Sequence, residues 1–269
     1  MVATSTTPQL QISVSQIKSY LRCPESYRLK YVLGEQPAFV PTPFAFGAAF
    51  HSALAALYSA VRSTGSVPSL DNVQSVFVDE WTSAVRGPLP LQLDDDDDSG
   101  DLIDKGKTML ATYYEHAASQ TIPVVEHVEK KFSVDLYDPD SGEVLEEKLA
   151  GVIDLVVREE SHPVIVEHKS SSKKYSLDQL RYDIQPTAYA YAAELLGWGE
   201  VGLRFNVVTK TKKPAVQTED VLRDDQDTDD FLRTVVGILR AIDAGAFFPV
   251  RGWQCRSCPF SHACSGRPS

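Results

Sequence analysis

The stretch GVIDLVVREESHPVIVEHKSSS, residues 151–172, decides how this chain is read. Two runs rich in valine and isoleucine flank a polar turn, the pattern of a hairpin buried on both faces. Asp154, Glu167 and Lys169 interrupt those runs. A buried charge is costly unless it finds a partner, so the three groups are expected to lie together. Glu167 and Lys169 are two residues apart and share a strand face, while His168 points the other way. The hairpin can bring Asp154 beside them. Converging carboxylates repel unless a cation sits between them, and hard oxygen ligands suit Mg²⁺ or Mn²⁺. A neighbouring lysine can orient a water or steady developing negative charge. A salt-bridged sheet edge uses the same residue types, so the spacing alone leaves both readings open.

The rest of the chain sets the frame. Its 269 residues, 43 % apolar and 23 % charged, suffice for a globular core. No stretch reads as long and apolar enough to cross a bilayer, and MVATSTTPQLQISVSQ lacks the basic and apolar regions of a signal peptide. A cytoplasmic, reducing setting without a membrane partner is therefore expected, in which the four cysteines read as metal ligands rather than disulfides. The net charge of −11 argues at first against a nucleic-acid partner. Two segments read as acidic surface loops, DDDDDSGD (94–101) with six acids and DDQDTDD (224–230) with five, equal the whole excess. The remainder is free to present a local basic face.

Helices are expected over 12–32, with a break or kink at Pro24, and over 46–63, 70–86, 102–119, 176–196 and 228–244. Strands are expected over 124–137, 144–157, 163–169 and 201–208, with TKTKKP (209–214) turning into a further strand. This order predicts an α/β fold, a mixed sheet flanked by helices. One integrated domain is expected: a helical part over 1–120, a core over 121–247 and an irregular tail over 248–269. GDLIDKGKT (100–108) imitates a phosphate loop, but five residues separate its glycines instead of four and an aspartate run rather than a strand precedes it, so ATP hydrolysis is not expected. His162 reads as a residue of the hairpin turn.

Cys255, Cys258 and Cys264 form C-x2-C-x5-C near the C-terminus, and Cys23 stands alone near the N-terminus. Four thiolates complete one tetrahedral metal site or one cubane cluster. With these residues in view, the chain resembles the RecB-like nucleases of the PD-(D/E)XK superfamily. It resembles in particular the branch with a four-cysteine iron–sulfur cluster, which includes the CRISPR-associated adaptation nuclease and the AddB nuclease domain. SVSQIKSYLRCPESYRLKYV is similar to the family's first helix, and FGAAFH to its G-x-x-x-H element. GVIDLV, VIVEHK and QPTAY follow in the family's order, and WQCRSCPFSHAC resembles its closing cluster loop.

The resemblance implies a restriction-endonuclease-like fold whose tail is stapled by a [4Fe–4S] cluster on Cys23, Cys255, Cys258 and Cys264. It implies Mg²⁺ or Mn²⁺ held by His51, Asp154, Glu167 and the His168 carbonyl, with Lys169, Gln185 and Tyr189 completing the catalytic group. Because Pro186 follows Gln185, the helix carrying that motif is expected to start near the proline. The implied activity is metal-dependent DNA cleavage, exonucleolytic on single strands or ends and extending to endonucleolytic cutting, with helicase or recombination proteins acting in trans. Arg22, Arg28, Lys30, Lys173, Lys174, Lys210, Lys212 and Lys213 are the candidate phosphate contacts. Two readings compete with it: a non-catalytic DNA-binding or recombination-accessory subunit, and a zinc-stapled scaffold.

Overall fold

The computed structural model describes residues 10–93, 98–160 and 162–264. The described residues open with a short strand β1 (Gln11–Ser13), where the sequence pattern predicts the start of a helix. Helix α1 (Val14–Arg22) then starts from a capping box in which Ser13 and Gln16 satisfy each other's backbone amides. Cys23 is extended, and Pro24, which has no amide hydrogen to give, starts the separate turn α2 (Pro24–Tyr27) and a wider turn over Arg28–Val32. Strand β2 (Val40–Pro41), helices α3 (Thr42–Thr64) and α4 (Leu70–Val85), strand β3 (Leu91–Gln92) and helix α5 (Ser99–Ala118) follow. The small β2–β3 pair was not anticipated.

The main sheet is built from β4 (Val124–Tyr137), β5 (Val144–Glu159) and β6 (His162–Ser171), then β7 (Gly202–Thr209) and β8 (Val216–Val221). Helices α6 (Leu177–Tyr182) and α7 (Ile184–Leu195) connect β6 to β7, and α8 (Asp225–Asp243) follows β8. The order is β1-β5-β6-β7-β8, with β4 on the other edge of β5. β6 and β7 run parallel, as their helical crossover requires, while β4–β5, β5–β6 and β7–β8 are antiparallel. The mixed α/β sheet flanked by helices is thus the architecture the order of elements predicts.

One edge of β5 is shared. β6 pairs with residues 155–159 and β1 with residues 148–150, so the sheet forks along Gly151–Asp154. A methyl group at Gly151 would lie 2.6 Å from the Phe132 ring, which accounts for the glycine there.

Two cores lie on opposite faces. β1, α1, α7 and α8 cover one, around Ile12, Ile17, Leu149, Ile153, Tyr191 and Leu232. α3, α4 and α5 cover the other, around Phe46, Phe50, Phe77, Trp81, Leu155 and Val166. The first 120 residues therefore serve both faces. Helix α3 corrects one expectation: by length and composition it is apolar enough to cross a membrane, with a mean hydropathy of 1.5. Its buried side is the centre of the second core.

The acidic run at 224–230 is helical rather than a loop, and the described residues 98–101 of the other run form a helix start. Asp98 caps α5 and Asp101 lies in its first turn, while 94–97 fall outside the described residues. Asp224 caps α8 in a capping box with Asp227, and Asp225 sits beside them. Carboxylates at helix N-termini are favoured by the unpaired amides and the dipole there. The phosphate-loop imitation lies within α5, and its Gly106 is a packing glycine over which the Phe77 ring closes.

Candidate metal-dependent active site

The fork places the polar residues. Beyond Leu155↔Val166, the next position on β5 is Asp154, opposite Glu167. With the ladder ending there, the His168 amide donates to the Asp154 side chain (Oδ2) at 2.9 Å. From α3, His51 brings Nδ1 to 3.2 Å of the same oxygen. Burial alone would lower the His51 pKa, but the hydrogen bond and charge of Asp154 outweigh it and raise it. Burial opposes ionisation of Asp154, and His51 together with the His168 amide overcomes it, so the Asp154 carboxyl titrates below its usual range.

Glu167 is 4 % exposed and fully partnered. Its Oε1 accepts from the Lys169 ammonium and, at 2.9 Å, from the Gln185 amide. The Tyr189 hydroxyl lies 3.0 Å from Oε2 and 2.9 Å from the Val152 carbonyl in the fork, and it accepts from Gln185 at 2.7 Å. Burial raises the Glu167 pKa and, taken alone, would lower that of Lys169. Contact with Glu167 nevertheless drives Lys169 well up. With the Lys169 ammonium and the Gln185 amide both donating to Oε1, we assign the charged pair. Lys169 is then a fixed cation rather than a proton acceptor.

The helix that carries Gln185 starts near Pro186, as expected. Asp183 caps α7 and accepts the Gln185 amide at 2.9 Å. Pro186 fits in the first turn, where amides have no helical acceptor. Lys18 donates to Asp183 at 2.6 Å and to Gln185 Oε1 at 3.3 Å, beside the 3.0 Å bond from Lys169. Lys18 and Asp183 carry no motif, and sequence reasoning passed over both. His168 points to the opposite face, as its place between Glu167 and Lys169 requires. Its ring stacks on Tyr58 and meets the edge of Tyr113. Burial pushes it down to about 4, so it is neutral.

Among the described residues, one trio of metal-type ligand atoms lies within 4.8 Å: His51, Asp154 and Glu129. Glu129 was not anticipated, and Glu167 is not in that trio. One imidazole, a borderline donor, and two hard carboxylates form a set that fits a divalent cation, and the carboxylates suit Mg²⁺ or Mn²⁺.

The candidate phosphate contacts divide. Lys173 and Lys174 follow β6, and Lys210, Lys212 and Lys213 follow β7. Because β6 and β7 are parallel, all five fall at one end of the sheet, joined where Lys210 donates its amide to the Ser171 carbonyl at 2.6 Å. Elsewhere Arg28 is committed to buried Glu25 through two hydrogen bonds, Arg22 lies over Trp253 and Lys30 over Tyr31.

The cysteines gather at the pole where the chain's beginning meets its tail. Val250 donates its amide to Cys23 Sγ at 3.5 Å, Glu25 donates to the Phe248 carbonyl, and Ala38 to the Pro259 carbonyl. Burial, with Cys23 and Cys255 nearby, raises the Cys258 thiol pKa. Among the described residues, no three cysteine sulfurs lie as close together as the His51 trio.

A forked mixed sheet with carboxylates, an imidazole and a fixed lysine at the fork is the arrangement of a metal-dependent phosphodiesterase core. The chain belongs to the PD-(D/E)XK nuclease superfamily, whose family model matches residues 11–265. No curated protein matches. Among solved structures, a "putative exonuclease" from Eubacterium rectale superposes with a TM-score of 0.52 at 14 % identity, covering 100 % of this chain and 95 % of that one. A protein called SSO0001 gives a TM-score of 0.43 at 12 % identity, covering 99 % and 91 %.

Proposed function

We propose that this chain is a Mg²⁺- or Mn²⁺-dependent deoxyribonuclease of the RecB-like, iron–sulfur branch, acting exonucleolytically on single strands or DNA ends. The observation that carries the reading is the pairing of a His51–Asp154 ligand group with a lysine held in its charged form by Glu167, Gln185 and Tyr189. His51 and Asp154 would hold the cation, with Glu167 and the His168 carbonyl beside them. The bound ion supplies Lewis-acid polarisation of the phosphate and a more acidic water. Lys169, fixed and charged, orients that water or steadies negative charge on the phosphate oxygens. Gln185 keeps the ammonium in place, and Tyr189 closes the fork behind it. The lysines after β6 and β7 take the DNA backbone.

We propose further that Cys23, Cys255, Cys258 and Cys264 hold one [4Fe–4S] cluster. Their gathering at one pole and the soft thiolate donor set support this, and a reducing, cytoplasmic setting is part of the same proposal. Partners such as a helicase would act in trans. Digestion of end-labelled single- and double-stranded DNA with Mg²⁺, Mn²⁺ or EDTA tests the activity. Cleavage that needs metal and disappears in Asp154→Ala supports the reading; cleavage in EDTA, or full activity of that variant, overturns it.

A further inference from the structure

Glu129 lies in β4 with a backbone φ of +49°, one of two described non-glycine residues with positive φ. A glutamate is uncommon in that region, and the cost is tolerated where surrounding structure or function holds it. Val128 faces Leu155 and Lys130 faces Ile153 across the antiparallel pair, so Glu129 stands opposite Asp154. Both strands change sides at this point. Val128 and Leu155 pack on the α3 face, whereas Phe132 and Ile153 pack on the α7–α8 face. In a regular strand, Val128 and Phe132 would share a face, as would Ile153 and Leu155. The left-handed residue is the hinge of that change, and it turns the Glu129 side chain toward His51 and Asp154, within 4.8 Å of both.

Charge makes the same point. Glu167 is neutralised by Lys169, and its Oε1 already accepts two hydrogen bonds. With the Glu167 charge offset by Lys169, Asp154 brings one uncompensated negative charge to a doubly charged ion. Glu129 brings the second, and among the described residues no hydrogen bond or ion pair engages its carboxylate. It is exposed, on the open side of the group, whereas Asp154 lies inside.

We propose that Glu129 is a ligand of the divalent cation, the third side chain with His51 and Asp154, and that the left-handed conformation of β4 exists to deliver it. This rests on the nuclease reading above. The test is Mn²⁺ binding to the DNA-free protein, followed by the electron paramagnetic resonance of free Mn²⁺, with thermal melting alongside. The variants are Glu129→Gln, Glu129→Gly and Asp154→Asn. Glu129→Gln should weaken Mn²⁺ binding about tenfold or more. Glu129→Gly should weaken it equally while melting no lower than wild type, because glycine accepts the positive φ freely. That combination separates a ligand from a structural residue. Should both Glu129 variants bind Mn²⁺ as wild type does while Asp154→Asn fails to bind, the inference falls and the nuclease reading stands. If the wild-type protein binds no Mn²⁺ and cuts no DNA, both fall.

Discussion

Lys169 can be removed only by stranding Glu167. The two side chains are 21 % and 5 % exposed, and breaking a buried pair from one side costs on the order of 3–5 kcal/mol. Lys169→Met should therefore lower stability to urea by about 3 kcal/mol as well as abolish turnover. Adding Glu167→Gln should restore most of the stability and none of the activity; single-turnover cleavage beside urea titration separates the two effects. Asp154, Glu167 and Lys169 were legible in the sequence because a charge that interrupts an apolar strand must meet a partner to be buried at all. Glu129 was hidden by the same logic. Val128, Phe132, Val134 and Leu136 all fall on even positions, as if one face ran unbroken, yet Val128 packs on the opposite side from the others. Nothing in residue type marks a left-handed glutamate.

At the level of elements, Asp183 joins helix formation to catalysis. It caps α7, pairs with Lys18 and fixes the turn that carries Gln185. Asp183→Ala should cost about 1 kcal/mol as a lost cap and should also lower the turnover number through the loosened Gln185, which is read from cleavage at saturating metal and DNA. The turn between β4 and β5 gives a pH signature. Asp138 accepts the Asp140 amide, which lowers its pKa most; burial opposes this, and Arg240 adds to the lowering. A carboxyl titrating lower in the folded than in the unfolded state stabilises the fold above the unfolded pKa, about 3.9. That stability is lost as pH falls through the folded value. Thermal melting of Asp138→Asn should show a lower melting point at neutral pH and a shallower loss into acid than wild type. In α5, Gly106→Ala would drive a methyl group into Phe77 and should destabilise by about 1–3 kcal/mol, whereas Lys107→Ala, beside it, should change little. The long strands and helices were legible from their periodicity. The two- and three-residue strands β1, β2 and β3 were not, because so short a strand is defined by its neighbour rather than by its own pattern.

Over the whole molecule, an acidic chain gathers five lysines at one end of its sheet. DNA affinity should therefore fall steeply between low and physiological salt, and Lys212→Ala with Lys213→Ala should flatten that slope without changing cleavage of bound substrate. Filter binding across a salt series measures both. Replacing any one of Cys23, Cys255, Cys258 or Cys264 by alanine should remove the visible absorbance expected of a cluster and open the tail to protease. Zinc in place of iron in anaerobically prepared protein would leave only the staple. The mixed sheet with helices on its faces followed from the sequence of elements. The fork did not, because it depends on β1 pairing with residues more than a hundred positions away.

That pairing has a consequence for synthesis. β1 has no partner strand until residues 148–150 have been made, and Cys23 and Glu25 wait for Phe248 and Val250. Such distant contacts form late and slowly as a chain emerges from the ribosome. Asp154, Glu167 and Lys169 are thus translated well before the pole that fastens α1 in place, and α1 carries the Lys18 that braces Gln185. An abortive product ending before residue 248 would carry every proposed catalytic residue and lack the contacts that fasten α1 beside them, so incomplete translation is expected to yield an idle blade rather than a stray one.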